Sequence, residues 1–315
     1  MSGSAAATAF APYRCLAAGA TIALIAPAGP ATEEAASQVP DLIRSLGWQP
    51  RLYPSCAARG GYLAGPDAQR LDDLHAAFAD DDCAAVWCLR GGYGSARLLP
   101  SIDTALLRAH PKPLIGYSDI TALHALLLAQ RLLGIHAPMP ASDLVKPGRD
   151  EDTQAIAAWL RHGLRAGTVL APRRAAGPLH IGGTAAGRLI GGNLALLASL
   201  AGTPWAPDYR GAVLFIEEIG EEPYRFDRLL LQLKLSGALG AVAGFVLGSF
   251  TEAEDPAPLL RDYLQALGKP VLSGWPSGHG TPNRPLPMGA QVMLDADAGT
   301  LTIEQDVILP AARHT

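Results

Sequence analysis

The chain has 315 residues, enough for one large or two ordinary domains. Apolar residues make up 49% and charged residues 17%, which describes a well-buried globular protein and excludes a disordered one. A formal net charge of −4 leaves no basic excess to call for nucleic acid or an anionic membrane surface.

In chain order, the first half alternates strand-like and helix-like pieces. The stretch CLAAGATIALIAPAGPA after Arg14 has some features of a secretory leader, but Gly19 and Thr21 interrupt it. TIALIAP (21–27) reads instead as a buried strand entering a Gly/Pro turn. Residues 32–47 predict a helix with Thr32 as its cap, Gly47 as its stop and Pro40 as a potential kink. WQPRLYP (48–54) predicts a second strand. Residues 66–80 predict an amphipathic helix with Leu71, Leu74, Ala77 and Phe78 on one face. AAVWCLR (84–90) is a third strand running into GGYG, and PLIGY (113–117) a fourth running into Ser118. Residues 120–134 form a helix pattern that is apolar nearly all round, hence deeply buried.

This alternation is the signature of a parallel sheet covered by helices, in which ligand sites gather at the carboxyl ends of the strands. The character changes from Asp143, where DLVKPGRDED is charged and turn-forming. The expected organisation is an N-terminal α/β domain over 1–145, a crossing segment over 146–183 with a helix at 153–164, and a C-terminal domain over 184–315. In that last part, 187–205 reads as a turn (GRLIGGN) and a buried helix, 211–218 and 241–250 as strands, and 223–239 and 256–268 as helices. Residues 270–294 read as a long loop entering a last hairpin with TLTIEQ. No apolar run reaches the roughly 20 residues of a transmembrane helix.

Four cysteines (Cys15, Cys56, Cys83, Cys88) form no C-x-x-C pair, and the eight histidines are scattered. Reduced structural thiols, no zinc site and no cofactor are expected.

Ser118, in LIGYSDITALH, lies between a strand and a helix, where a sharp turn can lift its Oγ clear of the sheet. Helix-initial amides face the same space and can stabilise an oxyanion. Ile120 stands where the G-x-S-x-G motif has its last glycine, and an N-cap serine fits the pentapeptide as well. GGYG (91–94) can bring backbone amides close to a substrate or simply make a tight turn; neither it nor GRLIGGN is a nucleotide-binding motif. In VLFIEEIGEE, strand alternation puts Glu217 on the face of Val213 and Phe215, where a carboxylate needs a partner such as an imidazole N–H, unless this is a solvated strand end. His279, in WPSGHGTPN, sits on a loop free to approach a serine or to stay at the surface. His124 reads as a packed core residue and His136 as a support behind the site.

Together these stretches resemble the serine LD-carboxypeptidases, the muramoyl-tetrapeptide carboxypeptidase family. The likeness runs through IALIAPAGP, RLDDLHAAFAD, RGGYGSARLLP, LIGYSDITALH, GGNLALLASLAGTPW, LFIEEIGEEPYRFDRLLLQL, GFVLGSF and the GHG loop before LPMGA, in that order. The resemblance implies Ser118 as nucleophile, Glu217 as orienting carboxylate and His279 as base. It implies an oxyanion hole from the amide of Asp119 and one of the glycine loop, Gly92 or a neighbour. Asp119 is further expected to turn its carboxylate to the positive start of its own helix. The implied fold is a flavodoxin-like N-terminal α/β domain with a smaller β-rich C-terminal domain, and the implied setting is a cytoplasmic homodimer acting on muropeptides. Arg90 is a candidate reader of the substrate carboxylate or a structural ion-pair partner, and Tyr93 a candidate substrate contact. The rival expectations are a microcin-immunity-type peptidase acting on peptidyl nucleotides, for which Trp205, Trp275 and Tyr93 could offer an aromatic platform, and a non-catalytic two-lobed sugar- or peptide-binding protein.

Overall fold

The computed structural model describes residues 10–172 and 177–310. Residues 173–176 of the expected crossing segment, and both chain ends, lie outside the described residues.

Five short stretches build a parallel sheet: Thr21–Ile25, Gln49–Leu52, Cys83–Cys88, Leu114–Ile115 and Gly134–His136. Numbered along the chain, their order across the sheet is 2-1-3-4-5, the flavodoxin-like doubly wound arrangement. The inner strands are buried on both faces, so Thr21–Ile25 and Cys83–Cys88 read as nearly continuous apolar runs, whereas Gln49–Leu52, at the sheet edge, is partly exposed. Residues 21–25 are thus a core strand. Helix Glu33–Ser45 begins where Thr32 accepts from the Ala35 amide and stops at Gly47, whose φ is +81°. Helix Asp67–Ala79 buries Leu74, Ala77 and Phe78, and also Arg70 and Asp73. Those two polar residues are satisfied inside: Arg70 donates to the carbonyls of Pro27 and Gly94, and Asp73 accepts from the Ser55 amide.

A second, seven-stranded sheet has the order Val271–Leu272, Gly244–Thr251, Val213–Ile219, Thr184–Asn193, Gln291–Asp295, Thr300–Ile303, Val169–Leu170. The first four are parallel and the rest antiparallel.

Four local readings change. The helix expected over 120–134 stops at Ala129, and Gly134 instead opens the strand Gly134–His136. GRLIGGN is not a turn but the end of the ten-residue strand Thr184–Asn193. Its glycines permit close approach: a Cβ on Gly191 would fall 1.9 Å from the Phe215 carbonyl oxygen, and one on Gly192 would fall 2.4 Å from Thr121 Oγ1. The helix expected over 223–239 breaks after Leu235, where Gly237 is left-handed, and resumes as Ala238–Ala241. The segment expected to be loop before the last hairpin contains the strand Leu286–Met288, which pairs antiparallel with Gly134–His136 and closes the edge of the first sheet.

The two sheets share one apolar core. Ile22, Leu24, Trp87 and Ile115 of the first pack in a single cluster with Leu189, Phe215, Val246 and Leu272 of the second. Directly behind the Ser118 turn, the Asn193 amide donates to Thr121 Oγ1 at 3.0 Å. The end of strand Thr184–Asn193 therefore meets the start of the helix that follows Ser118.

Candidate active site

Ser118 follows the Leu114–Ile115 strand by three residues and opens a 3₁₀ turn that leads into helix Thr121–Ala129. Its φ is +61°, a strained value for a non-glycine residue and one that commonly marks a functional turn. Two contacts hold this turn. His124, on the following helix, donates through Nε2 to the Gly116 carbonyl at 2.8 Å. Gly116 leaves room for Ile120 and Cys88, which a Cβ there would meet at 3.0 and 3.2 Å.

Glu217 is fully buried near the end of its strand. Its Oε2 lies 2.7 Å from His279 Nδ1, and His279 Nε2 lies 3.0 Å from Ser118 Oγ. Because an ionised carboxylate can only accept, Nδ1 carries the proton and Nε2 is the acceptor for the serine hydroxyl. The three residues singled out in the sequence are thus contiguous in space. The Ser118 Oγ is directed at the imidazole rather than at a helix amide.

Burial is the strongest single influence on the His279 pKa and lowers it. The hydrogen bond and charge of Glu217, with Asp143 and Glu218 behind, together outweigh burial and hold the imidazole above its ordinary value. Glu218 points the other way, as alternation demands. It accepts from Asn193 Nδ2 at 2.8 Å and the Ala195 amide at 2.7 Å, satisfying the start of helix Leu194–Leu200. Burial pushes its pKa up.

The loop bearing His279 approaches so closely because residue 278 is glycine. With φ at +111°, a Cβ there would stand 2.6 Å from Ser249 Oγ and 2.7 Å from Glu217 Oε2. Ser249 Oγ accepts from the Gly280 amide, the Gly278 amide donates to Asn283 Oδ1, and the Asn283 amide donates to Asp152. Arg149 bonds both Asp152 and the Gly280 carbonyl. A cavity of about 790 Å³ touches this loop through Gly280, Thr281 and Pro282, but Ser118, Glu217 and His279 do not line it.

The glycine loop lies opposite. A Cβ on Gly91 would sit 3.2 Å from Ser118 Oγ and 3.3 Å from the Asp119 amide nitrogen, so the absence of a side chain there leaves the space above the hydroxyl open. Gly91 is the loop residue that faces the serine, whereas Gly92 backs onto Gly29. The loop is pinned where the first strand ends, by the Gly29 amide on the Gly91 carbonyl at 3.0 Å. The Asp119 carboxylate does not turn to its own helix. It reaches back to accept from the Ser95 amide at 2.7 Å, because the serine turn aims it at the glycine loop. Burial raises its pKa, with the Ser95 and Gly94 contacts pulling down. Arg90 is exposed and donates to the Pro30 carbonyl at 2.7 Å, and Tyr93 is exposed at the rim.

Tyr117 and Asp143 were not legible as site residues. The Tyr117 ring packs on His279 with centroids 4.9 Å apart, and its hydroxyl donates to Asp143 at 2.9 Å. The only signal was position, one residue before the serine. His136 is fully buried, edge-on to Phe215 and Tyr117, and neither ring nitrogen has a hydrogen-bond partner among the described residues. Burial holds His136 well below its ordinary pKa and pulls His124 down to about 4, so both are neutral.

Fold and site together define a serine-type hydrolase on a two-sheet α/β frame, with hydroxyl, imidazole and carboxylate in line beneath a glycine loop. Two family models match, LD-carboxypeptidase N-terminal domain over residues 22–137 and LD-carboxypeptidase C-terminal domain over 186–294. The chain belongs to the LD-carboxypeptidase family. It is 38% identical over 92% of its length to the probable murein peptide carboxypeptidase of Bacillus subtilis, of which 93% is covered. It is 36% identical over 88% of its length to the murein tetrapeptide carboxypeptidase of Pseudomonas aeruginosa, again with 93% covered. The crystal structure of muramoyltetrapeptide carboxypeptidase from Oxalobacter formigenes superposes with a TM-score of 0.81 at 30% identity, covering 92% of this chain and 100% of that one. Among the described residues no helix is long and apolar enough to cross a membrane, and no group of three or more His, Cys, Asp or Glu could hold a metal ion.

Proposed function

We propose that this protein hydrolyses the L,D amide bond to the terminal D-alanine of peptidoglycan tetrapeptides, through an acyl-enzyme on Ser118. The observation that carries the reading is the unbroken line from Glu217 Oε2 through His279 to Ser118 Oγ, at 2.7 and 3.0 Å. Neutral His279 takes the hydroxyl proton through Nε2 as Oγ attacks the carbonyl carbon. The resulting oxyanion is held by the Asp119 amide and that of Gly92, across the space Gly91 leaves open. His279, now protonated and steadied by Glu217, delivers its proton to the leaving amine of D-alanine. Water then repeats the sequence on the ester and frees the shortened peptide. General-base help is worth about 10²–10⁴ in rate and one oxyanion donor about 10²–10³. Arg90, beside the glycine loop, reads the free carboxylate of the terminal residue. Arg90→Ala is then expected to raise KM for tetrapeptide, and an unchanged KM removes it from the site. A cytoplasmic place of action and a homodimer belong to the same proposal, by likeness to the family.

Two features speak against a binding protein whose lobes close on a ligand. The sheets share one core, and a strand from the C-terminal part is stitched into the N-terminal sheet. The deciding experiment incubates the enzyme with free tetrapeptide and with an aminoacyl-adenylate analogue, and follows D-alanine and the amino acid by mass spectrometry. Release of D-alanine by the wild type and none by Ser118→Ala is the expected result. Turnover of the nucleotide analogue alone would replace the substrate class, and binding without turnover of either would remove the enzymatic reading.

A further inference from the structure

Two exposed aromatic side chains at the rim of the site take no part in the steps above. Tyr62 and Tyr93 are 67% and 53% exposed, and their rings meet edge to face with centroids 5.6 Å apart. Both stand on loops with well-made backbone bonds. The Tyr62 turn is closed by Gly60 and Leu63, which exchange bonds of 2.9 and 3.2 Å, and is tied to the first strand's loop by the Ala64 amide on the Ala28 carbonyl. On the Tyr93 side, buried Arg70 holds the Gly94 carbonyl at 2.9 Å and the Asp119 carboxylate holds the Ser95 amide. Gly91 lies against Ser118, and two residues of chain span at most about 7 Å, so Tyr93 is within reach of a substrate a few residues long whose carbonyl rests on the serine.

We propose that Tyr62 and Tyr93 form the subsite for the sugar of a muropeptide, the two rings making a corner that takes the C–H face of a pyranose. The inference rests on the tetrapeptide reading above and adds the part of the substrate that lies beyond the peptide. Three features favour a sugar as occupant. A tyrosine pair offers apolar faces with hydroxyls at the edge, matching a ring that is apolar on its face and hydroxylated around its rim. The neighbouring cation Arg97 is already bound by Asp67 at 2.9 and 3.0 Å, so its charge is committed and not offered to an anion. Both loops are pinned in place, so binding costs little ordering.

The test is the ratio of kcat/KM for N-acetylmuramoyl-tetrapeptide to that for free tetrapeptide, a quantity that does not depend on how much of a variant is folded. The ratio should fall about tenfold in Tyr62→Ala and in Tyr93→Ala and stay near the wild-type value in Tyr62→Phe, which keeps the ring. An unchanged ratio in both alanine variants overturns the proposal. A titration of the wild type with N-acetylmuramoyl-L-alanine, read on the ring protons of the two tyrosines, tests the subsite without any turnover. Shifts confined to those rings and their loops support it. No shift, or shifts produced only by adenosine monophosphate, overturn it, even if D-alanine release has already established the peptide reading.

Discussion

The proposed nucleophile and the proposed base are held by two different kinds of structure. Ser118 stands on a turn made by consecutive residues: a strand, Gly116, a positive φ, and a helix whose His124 bonds back to the turn. His279 stands on a loop without regular structure, held by Ser249 on one strand, by Glu217 on another, and by Asp152 and Arg149 some 130 positions earlier. The serine is placed by local geometry and the base by tertiary bonds. Changes far from the chemistry should therefore reach the base more easily than the nucleophile.

The largest expected effects treat the two as equals. Ser118→Ala and His279→Ala should each lower kcat by about 10⁴-fold or more, and the double variant should be no worse than either single one, because the pair acts as a unit. A multiplicative double variant, measured by D-alanine release, would separate them. Glu217→Gln should lower kcat by about 10³–10⁴-fold and move the pH profile. In the wild type the base must be neutral, and its pKa is raised, so activity should fall as pH drops through a value above histidine's ordinary one. Removing the Glu217 charge leaves burial as the dominant influence, which lowers the pKa, so the remaining activity should persist to lower pH. An acid limb of kcat/KM that does not move would dissociate Glu217 from the base.

A pair of glycine substitutions sharpens the contrast. In Gly278→Ala the new methyl group collides with Ser249 and Glu217 at a left-handed backbone position. The loop must move, so kcat should fall about 10²-fold and Tm should fall with it. In Gly91→Ala the methyl enters the open space above Ser118, so kcat should fall about as far, by roughly 10²–10³, while Tm changes less. Equal thermal shifts would show that both positions are chiefly structural. The smallest effect should come from Tyr117→Phe, which keeps the ring on His279 but leaves Asp143 without its hydroxyl donor. A loss of about 1–2 kcal/mol in stability, with a kcat reduction of less than about tenfold, is expected from urea unfolding and steady-state rates.

The same division explains what could be read from the sequence. The elbow was legible because everything that makes it lies within GYSDI and the elements on either side. Four strands of the first sheet were legible as short runs ending in a turn, whereas Gly134–His136 was not, because three residues directly after an apolar helix pattern carry no strand signal of their own. His279 could be nominated by its loop and by resemblance, but nothing in WPSGHGTPN announces Asn283, Asp152 or Ser249 as its anchors. Tyr117 and Asp143 escaped for that reason too: their hydrogen bond spans 26 positions. GRLIGGN was misread because glycines that let Thr184–Asn193 press against Phe215 and Thr121 look, in sequence, like glycines that turn a chain. Leu286–Met288 was missed because three residues with a central proline carry too little pattern to declare a strand.

That short strand bears on how the protein is made. Until it is synthesised, the backbone of Gly134–His136 is an open sheet margin, a ready template for mispairing with other chains. Its partner emerges about 150 residues later, an interval on the order of ten seconds at ordinary translation rates. A nascent chain stalled before His279 would hold an elbow serine without its imidazole partner and an adhesive flank. Ribosome-bound intermediates of this length should therefore depend on chaperones in a way that the finished enzyme does not.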